Sequence, residues 1–250
     1  MSSFNSNPQT LLVVMPAYNS QATIAMAIES ILNQSYKNLR LVIVDDASED
    51  NTLKIAKMYL KDPRVSVYHN KKNLGAYYSR NVGLYMFRNK NWGYFTTHDA
   101  DDVSFEHRYI KLIRMLRRPR YSGVQDTFRR VELRSGRDLG AHLTMAHAVF
   151  QRHVFDDIGY FHMVRFGADW EHWTRLNSWN RVNKFKTAAV TEVLGESFVH
   201  EKNLTVQIPI NSSARLNYIK KVRQDIRTRN ITEDWYRGFT FNDNTVEVTK

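Results

Sequence analysis

Three polar clusters interrupt the apolar runs of this chain: Pro16-Ala17-Tyr18-Asn19, Asp45-Asp46-Ala47-Ser48 and His98-Asp99-Ala100-Asp101-Asp102. The last of these puts three carboxylates into four residues, Asp99 to Asp102. Their mutual repulsion needs a cation or solvent to relieve it. Oxygen ligands suit Mg²⁺ or Mn²⁺, which are ordinarily held by one or two carboxylates together with substrate phosphates. An ion so held would stabilise the charge on a departing diphosphate. The same residues would also serve as a solvated acidic turn capping a helix that begins near Ser104. Asp45-Asp46 alone is equally compatible with turn chemistry. The weight lies in all three clusters following apolar runs at equivalent places. A fourth feature, Asn73-Leu74-Gly75-Ala76, leads into a helical pattern carrying Arg80 and Asn81. A helix N-terminus there could receive an anion, with Arg80 one turn inside, or Arg80 could form a surface ion pair.

The elements that position these clusters can be read from periodicity. Leu11–Met15, ended by Pro16, reads as a buried parallel strand. Ser20 or a neighbour then caps a helix with Ile24, Ala27, Ile28, Ile31 and Leu32 on one face. Leu39–Val44 is a second strand, Asn51 caps a helix over Thr52–Leu60, and Val65–Tyr68 is a third strand. Gly75–Phe87 is a third helix and Tyr94–Thr97 a fourth strand. This alternation predicts βαβ units and a parallel sheet. Such sheets bind ligands beyond the carboxyl ends of their strands, where the polar clusters fall. After Asp102 the expected elements are a helix over Phe105–Leu116, a strand pair around Gly123–Leu133, and a strand over Leu143–Phe150. A helix over Asp169–Leu176, a strand within Val190–His200 and a basic amphipathic segment over Leu216–Ile226 follow. The expected organisation is one α/β domain over residues 1–210, with a basic C-terminal extension over 211–250.

Composition narrows the function. The chain has 250 residues, 42% of them hydrophobic, enough for a full-sized core. It has no cysteine, which excludes disulfides and thiolate metal sites. No Gly-rich G-x-G-x-x-G or G-K-[ST] loop is present, which argues against a P-loop NTPase or a dinucleotide-binding dehydrogenase. The N-terminus is polar and no apolar run approaches a membrane span, so a cytoplasmic protein is expected. The net charge is +11 and uneven: residues 1–102 carry 11 Lys/Arg against 9 Asp/Glu, residues 103–250 carry 25 against 16. A basic second half suggests an anionic partner or a passive basic surface.

The segment Leu12–Thr52, with VVMPAYN and VIVDDASEDNT, resembles the opening of a family 2 glycosyltransferase of the GT-A fold. Asn73-Leu74-Gly75, Ser79-Arg80-Asn81 and the DXD-type Asp99-Ala100-Asp101-Asp102 continue the resemblance in order. The resemblance implies a mixed, mostly parallel Rossmann-like sheet flanked by helices, and a UDP-sugar as the expected donor. It implies that Pro16, Ala17 and Tyr18 line the nucleotide pocket and that Asp46, with Asp45 beside it, reads the nucleobase edge. Gly75 and Arg80 would lie near the base or diphosphate, and Asp99 near the ribose and metal. Asp101 would be the direct ligand of Mn²⁺ or Mg²⁺. Downstream, Phe166-Gly167-Ala168-Asp169-Trp170-Glu171 is similar to the segment that carries the family's catalytic base, here Asp169, with Glu171 as the alternative. Ser197–Thr205 is similar to a late segment in which some members place a histidine at the metal, which nominates His200.

Members of this family invert the anomeric centre, so the resemblance implies one in-line displacement onto an acceptor hydroxyl. Arg108, Lys111, Arg114, Arg117, Arg118, Arg120, Arg129, Arg130, Arg134 and Arg137, and later Lys220, Lys221, Arg223, Arg227 and Arg229, are basic. Tyr121, Phe128, Trp170, Trp173, Trp179 and Trp235 interleave with or flank them. That mixture suits stacking on bases or sugar faces. The acceptor is therefore expected to be a polyanion, such as a modified base in DNA or RNA, or a surface or lipid-linked glycan. Two competing readings are a non-catalytic nucleic-acid-binding protein on a nucleotide-binding scaffold and a nucleotidyltransferase. The second ordinarily opens on a Gly-rich basic loop that is missing here.

Overall fold

The computed structural model describes residues 9–200, 212–228 and 246–249. The first half alternates β1 (Leu11–Ala17), α1 (Ile24–Leu32), β2 (Leu39–Asp45), α2 (Thr52–Met58), β3 (Val65–Asn70), α3 (Ala76–Phe87) and β4 (Tyr94–Thr97). The second half holds β5 (Asp102–Ser104), α4 (Arg108–Leu116), β6 (Tyr121–Glu132), β7 (Asp138–Gln151), α5 (His153–Ile158), α6 (Ala168–Asn183), β8 (Lys186–Val199), α7 (Ser213–Thr228) and β9 (Val246–Thr249). One mixed sheet runs in the order β5-β8-β6-β7-β4-β1-β2-β3-β9. Its block β4-β1-β2-β3 is wholly parallel. β7 joins that block antiparallel to β4, and β9 pairs antiparallel with β3.

The central strands are apolar throughout because helices cover both faces. Leu11, Val13 and Met15 of β1 face one cluster with Ile24, Ala27, Ile28 and Ile31 of α1 and Tyr109, Leu112 and Ile113 of α4. Leu12 and Val14 point the other way, onto Tyr77, Val82 and Leu84 of α3 and Trp173 and Leu176 of α6. The period-2 alternation of a strand thus feeds two cores. α3 lies so close to β1 that a Cβ at Gly83 would meet Val14 at 2.5 Å.

Several boundaries differ from the sequence expectation for identifiable reasons. β1 runs through Pro16 to Ala17, paired with Val44 and Asp45. β4 pairs with β1 only as far as Val14, so beyond that point there is no ladder on that side for a proline to interrupt. α1 begins at Ile24 with Thr23 as its N-cap, and neither Thr23 nor Asn51 at α2 makes a side-chain cap bond. The carboxylate of Asp50 takes the capping role at α2, accepting from the Thr52 N–H at 2.9 Å. α4 starts at Arg108 and not at Phe105, because Asp102–Ser104 is drawn into the sheet beside β8. The acidic run therefore does not cap that helix. Of the segment assigned to a C-terminal extension, α7 packs on α6 and β9 joins the sheet edge. Glu201–Thr205, Arg229 and Trp235, which were singled out in the sequence, lie outside the described residues.

Candidate active site

The carboxyl ends of β1, β2 and β4 bring the three polar clusters to one edge of the sheet. Pro16 and Ala17 are strand residues with buried side chains, while Tyr18 is 45% exposed at the strand's end. The turns after β1 and β2 are joined side chain to backbone. Ser48 Oγ accepts from the Asn19 N–H at 3.0 Å, and Asn19 Oδ1 accepts from the Glu49 N–H at 2.9 Å. Asn19 and Ala47 both adopt positive φ, 48° and 61°. A left-handed alanine costs about 1–2 kcal/mol and persists only where neighbours enforce it.

Asp45 and Asp46 are both buried and both bonded within the chain. Asp45 Oδ2 contacts His69 Nδ1 at 2.8 Å and accepts from the Ser48 N–H at 3.1 Å. Asp46 Oδ1 accepts from Asn70 Nδ2 at 2.7 Å and from the Leu74 N–H at 3.0 Å, while its Oδ2 accepts from the Gly75 N–H at 2.7 Å. Asp46 thus staples the turn that launches α3. Oδ1 already accepts two bonds, so a nucleobase would meet Asp46 at the second lone pair of Oδ2 or by exchanging one of the bonds to Oδ1. Gly75 closes the turn at φ 94°, a conformation that suits glycine.

α3 carries two site residues on one face, at i and i+3. Arg80 is almost fully buried and donates through Nη2 to Asp99 Oδ1 at 2.6 Å. Its guanidinium lies 4.8 Å from the Tyr77 ring centroid. Burial works against the Arg80 charge, yet Asp99, Tyr77 and Asp169 together raise its pKa above the ordinary arginine value. In turn Arg80 holds the Asp99 carboxyl below its usual range despite burial. Tyr77 donates its hydroxyl to Asp169 Oδ1 at 2.6 Å. Burial first, and then Asp169, push the Tyr77 phenol far up, so it remains a donor.

Asp169 sits in the first turn of α6, whose N-cap is the left-handed Gly167 at φ 78°. It is partly exposed. Glu171, the alternative base, is fully buried and accepts from Arg175 Nη2 at 3.0 Å. That ion pair removes Glu171 from the open site and leaves Asp169 as the segment's accessible carboxylate.

The acidic run splits three ways. Asp99 faces Arg80. Asp101 Oδ2 lies 3.1 Å from His200 Nε2, so the DXD-type segment and the late histidine do meet in space. Asp102 turns inward onto His147 Nε2 at 2.6 Å, and His147 Nδ1 contacts the Thr97 carbonyl at 3.2 Å. Burial pushes the Asp102 carboxyl up to about 6 against the pull of His147. His147 in turn is raised above an ordinary histidine by its bond to Asp102, despite burial. Asp99, Asp102 and His147 offer ligand atoms within 4.8 Å of one another. Both nitrogens of His147 have partners and its side chain is buried, whereas Asp99 and Asp101, paired with Arg80 and His200, keep side chains 33% and 22% exposed. The donor set is chiefly carboxylate oxygen, which fits Mn²⁺ or Mg²⁺. Asp102 and His147 form a layer behind it.

Tyr77, His147 and Asp126 were not picked out by the sequence, whereas Asp102 belongs to the expected acidic cluster and Arg108 to the expected basic surface. Tyr77 carried a signal, its i,i+3 spacing from Arg80. His147 carried none, since only the pairing of β7 beside β4 brings it to the cluster. Arg108 donates Nε to Asp126 Oδ2 at 2.7 Å and Nη2 to the His147 carbonyl at 2.6 Å, both side chains being fully buried. It therefore belongs to the core and not to a basic surface. Phe128 and Trp173 are buried as well, so they are not stacking platforms. Trp170 is approached by Arg223 of α7 at 5.7 Å.

The model described as glycosyl transferase family 2 matches residues 12–173. Over 125 residues the chain is 39% identical to the putative glycosyltransferase EpsE of Bacillus subtilis (strain 168), covering 49% of this chain and 44% of that protein. Over 100 residues it is 33% identical to the glycosyltransferase GlyG of Streptococcus pneumoniae serotype 4, covering 40% and 32% respectively. The matched region thus spans less than half the length of these curated relatives. S. aureus TarS 1-349 in complex with UDP-GlcNAc has a TM-score of 0.70 and 16% identity, over 86% of this chain and 66% of that one. The mannosyltransferase PcManGT from Pyrobaculum calidifontis, in complex with GDP-Man and Mn²⁺, has a TM-score of 0.67 and 18% identity over 87% and 65%. At these identities the likeness concerns the fold, which is GT-A. With the family model covering well over half of its length, the chain belongs to glycosyl transferase family 2.

Proposed function

We propose that this protein transfers a sugar from a nucleotide diphosphate donor, a UDP-sugar in the first instance, to an acceptor hydroxyl with inversion of the anomeric centre. One observation carries this reading. Asp169, on α6, and Asp99, at the end of β4, are bridged by Tyr77 and Arg80 on a single helical face. A base candidate and the donor-side carboxylates are thereby one helical turn apart. The donor would lie along the carboxyl ends of β1, β2 and β4, with Tyr18 and the Gly75 turn at its nucleotide. Arg80 keeps Asp99 charged and oriented. Asp169 takes the acceptor proton as that oxygen bonds to the anomeric carbon. The bond to the diphosphate oxygen breaks, and its electron pair leaves with the nucleoside diphosphate. Holding both substrates in line supplies much of the rate. Asp101 and Asp99, with His200, would hold a divalent ion, which when bound neutralises charge gathering on the diphosphate. The two structural neighbours, one in complex with UDP-GlcNAc and one with GDP-Man and Mn²⁺, support a nucleotide-sugar donor and a divalent ion.

The test is thermal stabilisation by UDP, GDP, CMP and dTDP, with and without Mn²⁺, because a ligand that binds only the folded state raises the unfolding midpoint. One nucleotide should act, and Mn²⁺ should enhance it. Asp101→Ala should remove the Mn²⁺ enhancement. Asp169→Asn should keep the shift and lose transfer. A wild-type transfer rate in Asp169→Asn would overturn the base assignment.

A further inference from the structure

The tip of the β6–β7 hairpin is exposed without interruption from Leu133 to Leu143. β7 pairs antiparallel with β4 through Tyr94↔Gln151 and Phe95↔Phe150. Followed backwards from there, β7 passes the carboxyl end of β4, where Asp99 and Asp101 lie, and continues outward. The hairpin therefore projects from the sheet on the side of the site. From Leu143 back to Asp138 the strand pairs with Thr127–Val131 of β6, so only the turn over residues 133–137 reaches past the last paired residues. β6 ends against β8 at Val131↔Phe198 and Glu132↔Val199, next to His200.

The composition of this tip is unusual for an idle loop. Leu133, Leu139 and Leu143 are 37%, 42% and 44% exposed. Arg134 and Arg137 lie in this tip and Arg129 and Arg130 just before it in β6, with Glu132, Asp138 and Glu196 of β8 as the neighbouring acids. Arg129 and Arg137 make long ion pairs, 3.6 Å to Asp138 and 3.7 Å to Glu132, with both arginines well exposed. Water penalises exposed leucines, and a soluble polyanion offers them nothing. A bilayer surface uses both residue types, since leucines enter the acyl boundary while guanidiniums meet lipid phosphates. No helix among the described residues is long and apolar enough to cross a membrane.

We propose that the β6–β7 tip docks this protein on the surface of an anionic lipid bilayer, with the mouth of the site turned toward that surface. The docking is independent of the transfer proposed above, and no donor or acceptor is needed to read it. The experiment is co-sedimentation of the full chain with phosphatidylcholine vesicles, with and without phosphatidylglycerol, at physiological ionic strength. The protein should sediment only with the mixed vesicles. The triple variant Leu133→Ser, Leu139→Ser, Leu143→Ser should lower partitioning at least about tenfold, given the apolar area it withdraws from the interface. Arg134→Glu with Arg137→Glu should lower it as much. All five positions are exposed, so both variants should keep the wild-type unfolding midpoint. Protein left in the supernatant, or a leucine variant that sediments like wild type, overturns the proposal. An equal loss of heparin binding in the leucine variant would also overturn it, by assigning the tip to a soluble polyanion.

Discussion

Replacing Asp46 by asparagine separates two roles for its carboxylate, reading a nucleobase and stapling the turn before α3. The side chain is buried and accepts three hydrogen bonds, from Asn70 Nδ2, the Leu74 N–H and the Gly75 N–H, at 2.7, 3.0 and 2.7 Å. An asparagine of the same shape has one oxygen. In its better orientation it keeps the Asn70 and Leu74 bonds and turns its own N–H₂ toward the Gly75 N–H. A bond to a charged group is worth about 1.5–3 kcal/mol, and the two retained bonds fall to neutral strength, about half of that. Relief of carboxylate burial offsets part of the loss, leaving about 2–4 kcal/mol. For a chain of this size each kcal/mol moves the midpoint by about 2–4 °C, so thermal unfolding should fall by roughly 4–16 °C. The assay is the unfolding midpoint without ligand, followed by the nucleotide-induced shift. A stapling role lowers the first and weakens the second along with it. A fall below about 2 °C together with a lost nucleotide shift would refute the stapling argument and return Asp46 to the base.

Three further outcomes follow from the same geometry. Tyr77→Phe removes the 2.6 Å bond into Asp169, so kcat should drop roughly 10–100-fold with the nucleotide-induced shift unchanged; an unaltered kcat would detach Tyr77 from the base. Asp126→Ala leaves the buried Arg108 guanidinium uncompensated and should cost about 3–5 kcal/mol in denaturant unfolding, most of it recovered by Arg108→Met with Asp126→Leu; a single variant as stable as wild type would contradict this. His172 packs among Phe150, Phe155 and Phe161, and burial, with Arg175 nearby, holds its pKa well below an ordinary histidine. The unfolded chain therefore binds a proton that the folded chain refuses, and stability is lost as pH falls below about 6.5, by about 1.4 kcal/mol per pH unit for this one group. His172→Phe should flatten the pH dependence below about pH 6.5, approaching that slope by about pH 5.5, and parallel stability curves would refute the assignment.

Much of the first half was legible in the chain. Its strands are buried on both faces and so appear as unbroken apolar runs, each ended by a polar cluster, and parallel sheets of this kind place ligands at those ends. The pairing of Arg80 with Asp99, 19 residues apart and joined at 2.6 Å, was not legible there, since the sequence offered Arg80 only an anion or a surface ion pair. The second half was harder to read because its strands are long, bulged and partly exposed. β6 has register shifts against both β7 and β8. Such strands break the period-2 signal, so Gly123–Leu133, expected to hold a strand pair, lies almost wholly in one strand of 12 residues, and its hairpin partner is a 14-residue strand that contains the expected Leu143–Phe150.

By itself the sequence determined the alternation of elements, the chemistry available at the strand ends and the family. Those depend on local periodicity and on residue types a few positions apart. The tertiary structure decided which of the available groups are taken up by partners inside the chain and which stay within reach of solvent. It placed Asp46 in a turn, Glu171 in an ion pair with Arg175 and Arg108 in the core, and left Asp169 reachable. It also brought His147 to Asp102 and His200 to Asp101, across 45 and 99 residues. Composition carries no record of such meetings. They are set by how β7 and β8 register against their neighbours, and a carboxylate's role depends on whether that packing leaves it a partner inside the chain or an opening to the cleft.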